Sequence, residues 1–410
     1  MAGPCRVLYL DTSPTVGGSV LSLYDLCRGL NRDRYDPIVV SYAPHAYVER
    51  FRELGVEVIP WNVYGAGDHR PAWVKRQQES GWLSRLRQIP LGARLYHGAG
   101  FALLLARRVW PRARALQALI TARRVSLVHT NIRVGHDREG VLAAKLARIP
   151  CVCHVRDYES LGPVDRKLAS WAAAFIYISQ AVRASHVRAG APASKGHVVY
   201  NGIDVDAFEV GASREEGRRS LGLTDGDLAV GLVGRLERWK GHEPFLGAMA
   251  LVHQQLPGAK GLIIGNSVPY DPDYAKELSD LCQSLGLADS VHFSGFRPDV
   301  ARVMSALDVV VLASTSPEPF GRVVVEAMAA ARPVVAADAG ASREILDSGV
   351  QGLLVPPGDE GALADALVQI LSDPYSAVAM GQRGREKARA RFGVEGYVSG
   401  VQRVYEELLH

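Results

Sequence analysis

The sequence predicts an α/β protein with two doubly wound domains, and three observations support this fold class. The chain has 410 residues. A single hydrophobic core accommodates only roughly 250 to 300 residues, so the chain is too long for one domain. Short apolar, β-rich runs alternate with helical stretches, which is typical of parallel strands joined by crossover helices. The alternation pauses near residues 201–226 and then starts again. We therefore expect two domains of similar architecture, with their boundary in that interval.

The apolar runs predict six strands in each domain. In the first domain they are residues 6–10, 38–41, 56–59, 127–130, 151–155 and 175–179. In the second domain they are residues 229–234, 262–265, 291–294, 309–313, 333–336 and 352–355. From residue 362 onwards the chain has the pattern of successive helices, with breaks at Asp373-Pro374 and Phe392-Gly393. We expect domains at 1–205, with a basic insert at about 61–125, and at 206–390, and a helix at 391–410 that packs back onto the first domain.

The composition is that of an ordinary globular protein, since 48% of the residues are hydrophobic and 22% are charged. Disordered and fibrous classes are thereby excluded. The chain opens without a signal-like charged and apolar segment, and its apolar runs are too short to span a bilayer. We expect no transmembrane helix and a cytoplasmic location, with peripheral attachment to the cytosolic membrane face as an alternative. The five cysteines are scattered without a C-x-x-C pair, so we expect reduced, buried thiols.

The loops that follow strands are the first places to search, because parallel sheets bind ligands beyond the carboxyl ends of their strands. After the first predicted strand, Gly17 and Gly18 precede a helix expected to begin near Val20. Two glycines let backbone N–H groups approach an anion at a helix N-terminus. A tight turn without a ligand explains the same residues.

A second loop follows the strand at 229–234 and carries Arg235 and Lys240. A guanidinium and an ammonium at a strand end can together hold a diphosphate. Two solvated surface cations are the alternative.

The third loop, after the strand at 309–313, carries Glu318 and leads into a helix expected to begin near Phe320. The first N–H groups of this helix, at Gly321, Arg322 and Val323, can bind an anion. Glu326 stands between apolar residues of the helix, and a buried carboxylate needs partners. Two vicinal hydroxyls of a ribose or sugar suit it, although pairing with a nearby arginine is the alternative.

Taken together, these motifs resemble the retaining glycosyltransferases of family four. Glu318 and Glu326 are separated by seven residues, and they accompany the Gly-Arg-Leu and Lys240-Gly241 loop and the Gly17-Gly18 turn. The likeness extends to residues 200–204 at the domain junction and to residues 356–359. It implies the GT-B fold, in which two Rossmann-like domains face each other across a cleft.

The resemblance implies a role for each of these residues. Arg235 and Lys240 would hold the donor diphosphate, Glu326 the ribose, and Glu318 would lie near the transferred sugar. The base would lie against the loops at Gly265-Asn266 and Phe296-Arg297. The residues expected to bind the donor are therefore Gly17, Gly18, Gly265, Arg297, Phe320, Gly321, Arg322, Val323 and Glu326.

His154 ends the predicted strand at 151–155, where this family often has a histidine facing the reacting sugar. A histidine beside an apolar strand is more often structural, but its position and the resemblance favour a catalytic role. Arg156 and Asp157 would orient it or meet the acceptor. His129 and Asn131, at the end of the preceding strand, are weaker candidates for the acceptor side.

The expected function is transfer of a hexose-type sugar from a UDP- or GDP-linked donor to a saccharide or lipid-linked acceptor in glycan biosynthesis. The resemblance implies retention and a reaction without a metal, and we expect no cofactor. The D-x-D triplets at 204–206, 225–227 and 271–273 do not point to a metal site, because they are predicted to be junction or loop acids. Another GT-B sugar-nucleotide enzyme, an epimerase or hydrolase, is one alternative. A non-catalytic sugar-nucleotide-binding scaffold is another.

A basic segment interrupts the first domain, since residues 70–124 hold twelve arginines or lysines and a single acid, Glu79. Cations interleaved with aromatic and aliphatic residues suit an anionic membrane surface. A solvated helical face and a dimer contact are alternatives. Nucleic acid is disfavoured because no nucleic-acid-binding module accompanies the charge.

Overall fold

The computed structural model describes residues 3–13, 15–61, 105–209 and 213–409. These residues divide into two compact units. Unit 1 comprises Met1–Ile176, His186–His197 and Gln402–His410, and unit 2 comprises Tyr177–Ser185 and Val198–Val401. The last part of the chain therefore belongs to the same unit as the first strand.

Unit 1 is built on a seven-stranded sheet of order β3-β2-β1-β4-β5-β6-β7. Its strands are β1 (Cys5–Asp11), β2 (Tyr35–Ser41), β3 (Glu57–Pro60), β4 (Leu127–Thr130), β5 (Cys151–Val155), β6 (Ala174–Tyr177) and β7 (Gly196–Val198). β1 pairs in parallel with both β2 and β4. All four residues of β4 and all five of β5 are buried, as expected of a sheet covered on both faces.

Helices follow most of these strands. They are α1 (Gly18–Gly29), α2 (Tyr47–Glu53), α3 (Trp110–Ala122), α4 (Arg138–Ala147), α5 (Pro163–Trp171) and α6 (Gln180–Arg188), and a π-helical turn at Leu105–Val109 precedes α3.

Unit 2 contains a six-stranded sheet of order β10-β9-β8-β11-β12-β13. Its strands are β8 (Leu228–Val233), β9 (Ala259–Ile264), β10 (Val291–Gly295), β11 (Val309–Leu312), β12 (Val334–Ala337) and β13 (Gly352–Val355). β8 pairs in parallel with β9 and β11. One face of this sheet and the helices around it form a continuous core that includes Phe245, Met249 and Leu367.

The helices of this second half begin with α7 (Arg214–Ser220). They continue with α8 (His242–Gln255), α9 (Tyr274–Ser284), α10 (Val300–Ala306), α11 (Arg322–Ala329), α12 (Ser342–Ile345), α13 (Glu360–Ser372), α14 (Pro374–Phe392) and α15 (Val394–Leu409).

The twelve predicted strands are confirmed, each within three residues at either end. β7 was missed, because its three residues are only half-buried and lack an apolar run. The helix expected near Val20 begins at Gly18, and the one expected near Phe320 begins at Arg322. Among the cysteines, Cys5 is only partly buried, and the other four are buried free thiols.

Both sheets have the strand order of a Rossmann fold, in which the order reverses between the first and fourth strands. The reversal lies between β1 and β4 in unit 1 and between β8 and β11 in unit 2. Ligands of open α/β sheets bind beyond the carboxyl ends of strands at such a point. The loops that carry Gly17-Gly18, Arg235-Lys240 and Glu318 each follow one of these four strands.

Within the described residues, we find no helix that combines the length and apolar character needed to cross a bilayer.

Candidate active site

The loop after β8 holds Arg235 and Lys240 on a compact turn. A short 3-10 helix, Arg238–Lys240, follows Glu237, and Gly241 is then the N-cap of α8, with a φ of 78°. A Cβ at Gly241 would lie 1.9 Å from the carbonyl oxygen of Ala313. Glycine is therefore required here both by its left-handed backbone and by the approach of the neighbouring loop.

Lys240 and Glu318, predicted from separate loops, form an ion pair. The Lys240 Nζ lies 3.1 Å from Oε1 and 2.9 Å from Oε2 of Glu318. The Ser314 hydroxyl donates to Oε2 of Glu318 at 2.9 Å. The backbone N–H of Thr315 donates to the Trp239 carbonyl at 2.8 Å, which ties the two loops together.

Arg235 is the more exposed cation of the β8 loop, with 57% of its side chain accessible. Its Nη2 lies 3.2 Å from Oε2 of Glu237, which is buried. The Trp239 indole N–H donates to the same oxygen at 3.1 Å, and the Tyr270 hydroxyl donates to Oε1. Glu237 therefore anchors Arg235 to the loop.

Glu326 lies on α11 one turn after the helix begins. Arg322 donates from Nε to Oε1 of Glu326 at 2.8 Å, and both side chains are largely buried. The arginine pairing that the sequence left open is thus present. Gly321 caps this helix with a φ of 86°, and the first-turn N–H groups, including that of Val323, lack intrahelical acceptors.

Three further residues expected to bind the donor pair, pack or allow a close backbone approach within the protein. Arg297 forms a bidentate pair with Asp299 at 2.8 and 2.7 Å, and this hydrogen bonding raises the pKa of Arg297. The Phe320 ring is buried against Phe392, 6.0 Å between centroids. A Cβ at Gly265 would lie 1.8 Å from the carbonyl oxygen of Gly234, so this glycine allows the loops after β8 and β9 to approach.

In unit 1, His154 lies fully buried at the end of β5, next to His129 and Arg156. Its Nδ1 is 3.1 Å from Nε2 of His129 and 3.3 Å from Nη2 of Arg156. Burial first, and then the charge of Arg156, lower the pKa of both histidines well below the ordinary value. Both rings are therefore neutral at physiological pH.

Asn131 connects this cluster to the glycine turn. Its Oδ1 accepts from Nε of Arg156 at 3.0 Å, and its Nδ2 donates to the Ser19 carbonyl in the first turn of α1 at 3.1 Å. Among the described residues, no atom lies within 4 Å of a Cβ built at Gly17 or at Gly18.

Asp157 does not join the cluster. Its side chain is 53% exposed and lies 3.7 Å from Nη1 of Arg133, and it accepts from the Tyr158 N–H at 2.7 Å.

Four further polar residues were not predicted from the sequence. Glu237 and Ser314 lie in the loops after β8 and β11. Glu237 could have been found from the sequence, because it is an acid between two arginines, Arg235 and Arg238. Asp11 and His45 form a buried pair at 2.7 Å beside a cavity of about 320 Å³ at the ends of β2 and β3. Their distance of 34 residues in sequence gave no signal.

One acid of each D-x-D triplet has a hydrogen-bond or ion-pair partner within the protein. Asp206 pairs with Arg389 at 2.8 Å, Asp227 accepts from the Thr224 N–H, and Asp271 pairs with Arg238 at 2.9 Å. No group of three His, Cys, Asp or Glu side chains suited to a metal occurs in the part of the chain that the structure describes.

The basic segment at 70–124 lies mostly outside the described residues. In its described part, Arg112 lies 3.7 Å from Glu139, and Arg123 pairs with Glu57 at 2.9 Å. Trp110 is 48% exposed. Part of the positive charge is therefore balanced within unit 1.

Comparison with protein families gives two matches that together span both units. Residues 16–207 match the model of Glycosyltransferase Family 4, and residues 213–387 match Glycosyl transferases group 1. The lipopolysaccharide core biosynthesis mannosyltransferase LpcC of Rhizobium leguminosarum is 30% identical over 68% of this chain and 79% of its own length. A D-inositol 3-phosphate glycosyltransferase of Corynebacterium urealyticum is 35% identical, but the match covers 52% of this chain and 51% of that protein. The chain thus spans about half the length of several such curated relatives.

Solved structures agree with the fold. The crystal structure of Anabaena Alr3699/HepE in complex with UDP and glucose has a TM-score of 0.76 and 27% identity, covering 98% of this chain and 99% of that one. A Rickettsia africae glycosyltransferase has a TM-score of 0.81 over 100% of this chain and 99% of that one, at 17% identity, which concerns the fold alone. The strand order, the residues at both switch points and these matches lead to one assignment: the chain belongs to the group 1 glycosyltransferases of family 4, which have the GT-B fold.

Proposed function

We propose that this chain is a retaining, metal-independent glycosyltransferase that moves a hexose-type sugar from a nucleotide-diphosphate sugar to a saccharide or lipid-linked acceptor. The observation that carries the proposal is the Lys240–Glu318 ion pair beside the N-terminus of α11, with Arg235 on the same loop as Lys240. Two cations and a helix N-terminus at one switch point suit a diphosphate, because each stabilises negative charge.

Departure of the nucleotide diphosphate is the step that these groups assist. Negative charge grows on the phosphate as the sugar bond breaks, and fixed positive groups lower the barrier most when they are already in place. Glu237 holds the Arg235 guanidinium at 3.2 Å, and Glu318 holds the Lys240 ammonium at 2.9 Å. The carboxylate of Glu318 is engaged by this cation and by Ser314, an arrangement that favours a positioning role over nucleophilic attack.

The donor that we favour is UDP-linked. HepE binds UDP and UDP-glucose in its crystal structures, and the match to this chain extends over nearly its full length. The acceptor is proposed from relatives that are named as acting on lipopolysaccharide core or inositol 3-phosphate. Both names describe hydroxyl-bearing acceptors, which fits transfer to a saccharide or a lipid-linked saccharide.

Substitutions at Glu326 and Arg322 distinguish ribose binding by Glu326 from an ion pair that only stabilises α11. If its carboxylate binds the ribose, Glu326→Gln weakens UDP binding more than Arg322→Met does, although both variants break the same ion pair. A hydrogen bond to a charged group contributes about 1.5 to 3 kcal/mol, so we expect at least a tenfold loss of UDP affinity for Glu326→Gln. Isothermal titration of the full chain measures both. Equal losses in the two variants contradict the ribose role.

The test of the whole proposal is a donor panel followed by an acceptor assay. UDP, GDP, ADP and their sugars are screened by thermal shift, because a ligand that binds the folded state raises the melting temperature. The stabilising sugar nucleotide is then incubated with and without saccharide and lipid-linked acceptors. Transfer with retained anomeric configuration supports the proposal, whereas epimerised or hydrolysed donor without transfer favours another sugar-nucleotide enzyme. Donor binding without turnover identifies a scaffold.

Two further parts of the proposal concern location and metal. We propose that the chain is cytoplasmic and attaches to an anionic membrane surface through residues 70–124, because basic residues contribute about 1 kcal/mol each near anionic lipids. Sedimentation with phosphatidylserine vesicles, compared with phosphatidylcholine vesicles, tests this attachment.

Transfer that persists in excess EDTA is the expected result for metal independence.

A further inference from the structure

The Trp239 side chain contacts one cation of the β8 loop directly and is linked to a second one through Glu237. The Lys240 ammonium lies over the indole ring, 4.0 Å from the ring centroid. The indole N–H donates to Oε2 of Glu237 at 3.1 Å, and the same oxygen lies 3.2 Å from Nη2 of Arg235. One ring therefore connects the two cations of this loop that the sequence assigns to a diphosphate.

The backbone of Trp239 makes a connection of its own. Its carbonyl oxygen accepts from the N–H of Thr315 at 2.8 Å and from the Thr315 hydroxyl at 3.3 Å. These bonds tie the β8 loop to the loop after β11, which carries Glu318. A substitution of the Trp239 side chain leaves the carbonyl group in the chain, so the contacts of the ring can be tested separately from the bonds that join the loops.

The two contacts of the ring have different physical origins. A cation over an aromatic face is attracted by the ring quadrupole, and the attraction is stronger where water is excluded. The Lys240 side chain is only 17% exposed. The indole N–H makes a charge-assisted hydrogen bond to the Glu237 carboxylate, whose other oxygen accepts from the Tyr270 hydroxyl. Both oxygens of Glu237 are thus engaged, which fixes this buried carboxylate beside Arg235.

We propose that Trp239 is a positioning residue for sugar transfer, which holds the Lys240 ammonium with its ring face and the Arg235 guanidinium through Glu237. Both cations are then in place before the donor diphosphate binds, so less side-chain entropy is lost when they meet the phosphates. This inference rests on the proposed function, because it takes Arg235 and Lys240 as the diphosphate site. It goes beyond that function by assigning to one side chain the placement of both cations.

Two substitutions separate the contacts of the ring. Trp239→Phe keeps an aromatic face for Lys240 and loses the N–H that Glu237 accepts, whereas Trp239→Leu loses both. The Trp239 side chain is partly exposed, so both variants should fold. We expect UDP affinity to fall about threefold in Trp239→Phe and about tenfold in Trp239→Leu. In initial-rate measurements the donor KM should change more than kcat, because the cations remain present and only their placement is lost.

Double-mutant cycles assign each loss to its contact. In an Arg235→Met background, Trp239→Phe should cost no further UDP affinity, because the indole N–H acts on the donor only through Glu237 and Arg235. In a Lys240→Met background, Trp239→Phe and Trp239→Leu should bind UDP equally, because no ammonium is left for the ring face. Isothermal titration of the full chain measures the affinities. The Arg235 cycle is decisive by itself if Lys240→Met weakens the fold.

Trp171→Leu is the matched control, because the Lys167 ammonium lies over the Trp171 ring in unit 1, 6.0 Å from its centroid. This variant should bind UDP as the wild type does. If Trp239→Leu binds UDP with wild-type affinity, the inference is overturned and the proposed function stands. A loss in Trp239→Phe that persists in full in the Arg235→Met background also overturns it. A wild-type chain that binds no UDP rejects the UDP donor and this inference together.

Discussion

The ammonium of Lys240 and the carboxylate of Glu318 lie 2.9 Å apart, although the two residues come from loops that follow different strands of unit 2. β8 and β11 are neighbours in the sheet, so their carboxyl ends lie side by side. The side chains are 17% and 10% exposed. The pair therefore forms in a largely dehydrated environment and holds both groups in fixed positions before any ligand binds.

Breaking this pair should cost stability. Lys240→Met leaves the Glu318 carboxylate without its cation, and removing one partner of a buried pair costs about 3 to 5 kcal/mol. Glu318→Gln should cost a comparable amount, and the double variant less than the sum of the two. Urea denaturation measures the cycle. The control is the exposed pair Lys276 and Asp280, 2.6 Å apart, for which the same double-mutant cycle should show almost no coupling energy. Additive losses of stability at Lys240 and Glu318 would contradict the prediction.

Acid pH should destabilise the protein through His242. Burial, and then the charge of Lys240, lower the pKa of His242 from 6.5 to about 4. Below pH 6.5 the unfolded chain binds a proton there that the folded chain does not, so the stability present above pH 6.5 is lost as the pH falls towards 4. Each pH unit costs about 1.4 kcal/mol, or about 2 kcal/mol by pH 5.

Urea denaturation at pH 7 and pH 5 checks this dependence. His242→Leu should lose that part of the pH dependence, whereas His292→Asn, a change at an exposed position on β10, should keep it. Identical pH slopes in wild type and His242→Leu would show that the buried ring is not responsible.

Two glycine substitutions should behave in opposite ways. Gly241→Ala places a Cβ 1.9 Å from the Ala313 carbonyl oxygen at a φ of 78°, which costs more than about 2 kcal/mol because both the backbone and the neighbouring loop are strained. The methyl group of Gly17→Ala meets no atom of the described ranges within 4 Å, and the φ of −147° suits any residue. We expect an unchanged melting temperature for Gly17→Ala. If Gly17 binds the donor, as the sequence predicts, the variant should also show reduced sugar transfer. Normal kinetics in a fully folded Gly17→Ala protein remove Gly17 from the donor site.

Glu237 should set the affinity of Arg235 for phosphate. Glu237→Gln weakens the contact at 3.2 Å and leaves the guanidinium mobile, so ordering it on binding costs side-chain entropy. We expect a severalfold rise in the KM for the donor, with a smaller effect on kcat, in initial-rate measurements. A lower KM would instead mean that Glu237 competes with the diphosphate for Arg235.

The sequence by itself determined the architecture and the loops of the candidate site. Apolar runs located twelve strands, since a strand covered on both faces must be apolar throughout, and the glycines and charges after them marked the switch points. Local patterns also placed Arg235, Lys240, Glu318 and Glu326, because each lies within a few residues of the strand or helix that positions it.

Only the tertiary structure decided which side chains meet. Lys240 reaches Glu318 across 78 residues, and the Tyr405 hydroxyl reaches His129 across 276. No local pattern encodes such distances, because strand order in a parallel sheet is not sequence order. The structure likewise showed that Phe320 and Arg297 have partners in the protein, since burial and pairing depend on what the rest of the chain brings alongside. The sequence therefore determines which side chains a loop carries, and tertiary packing determines which of these side chains can still bind a ligand.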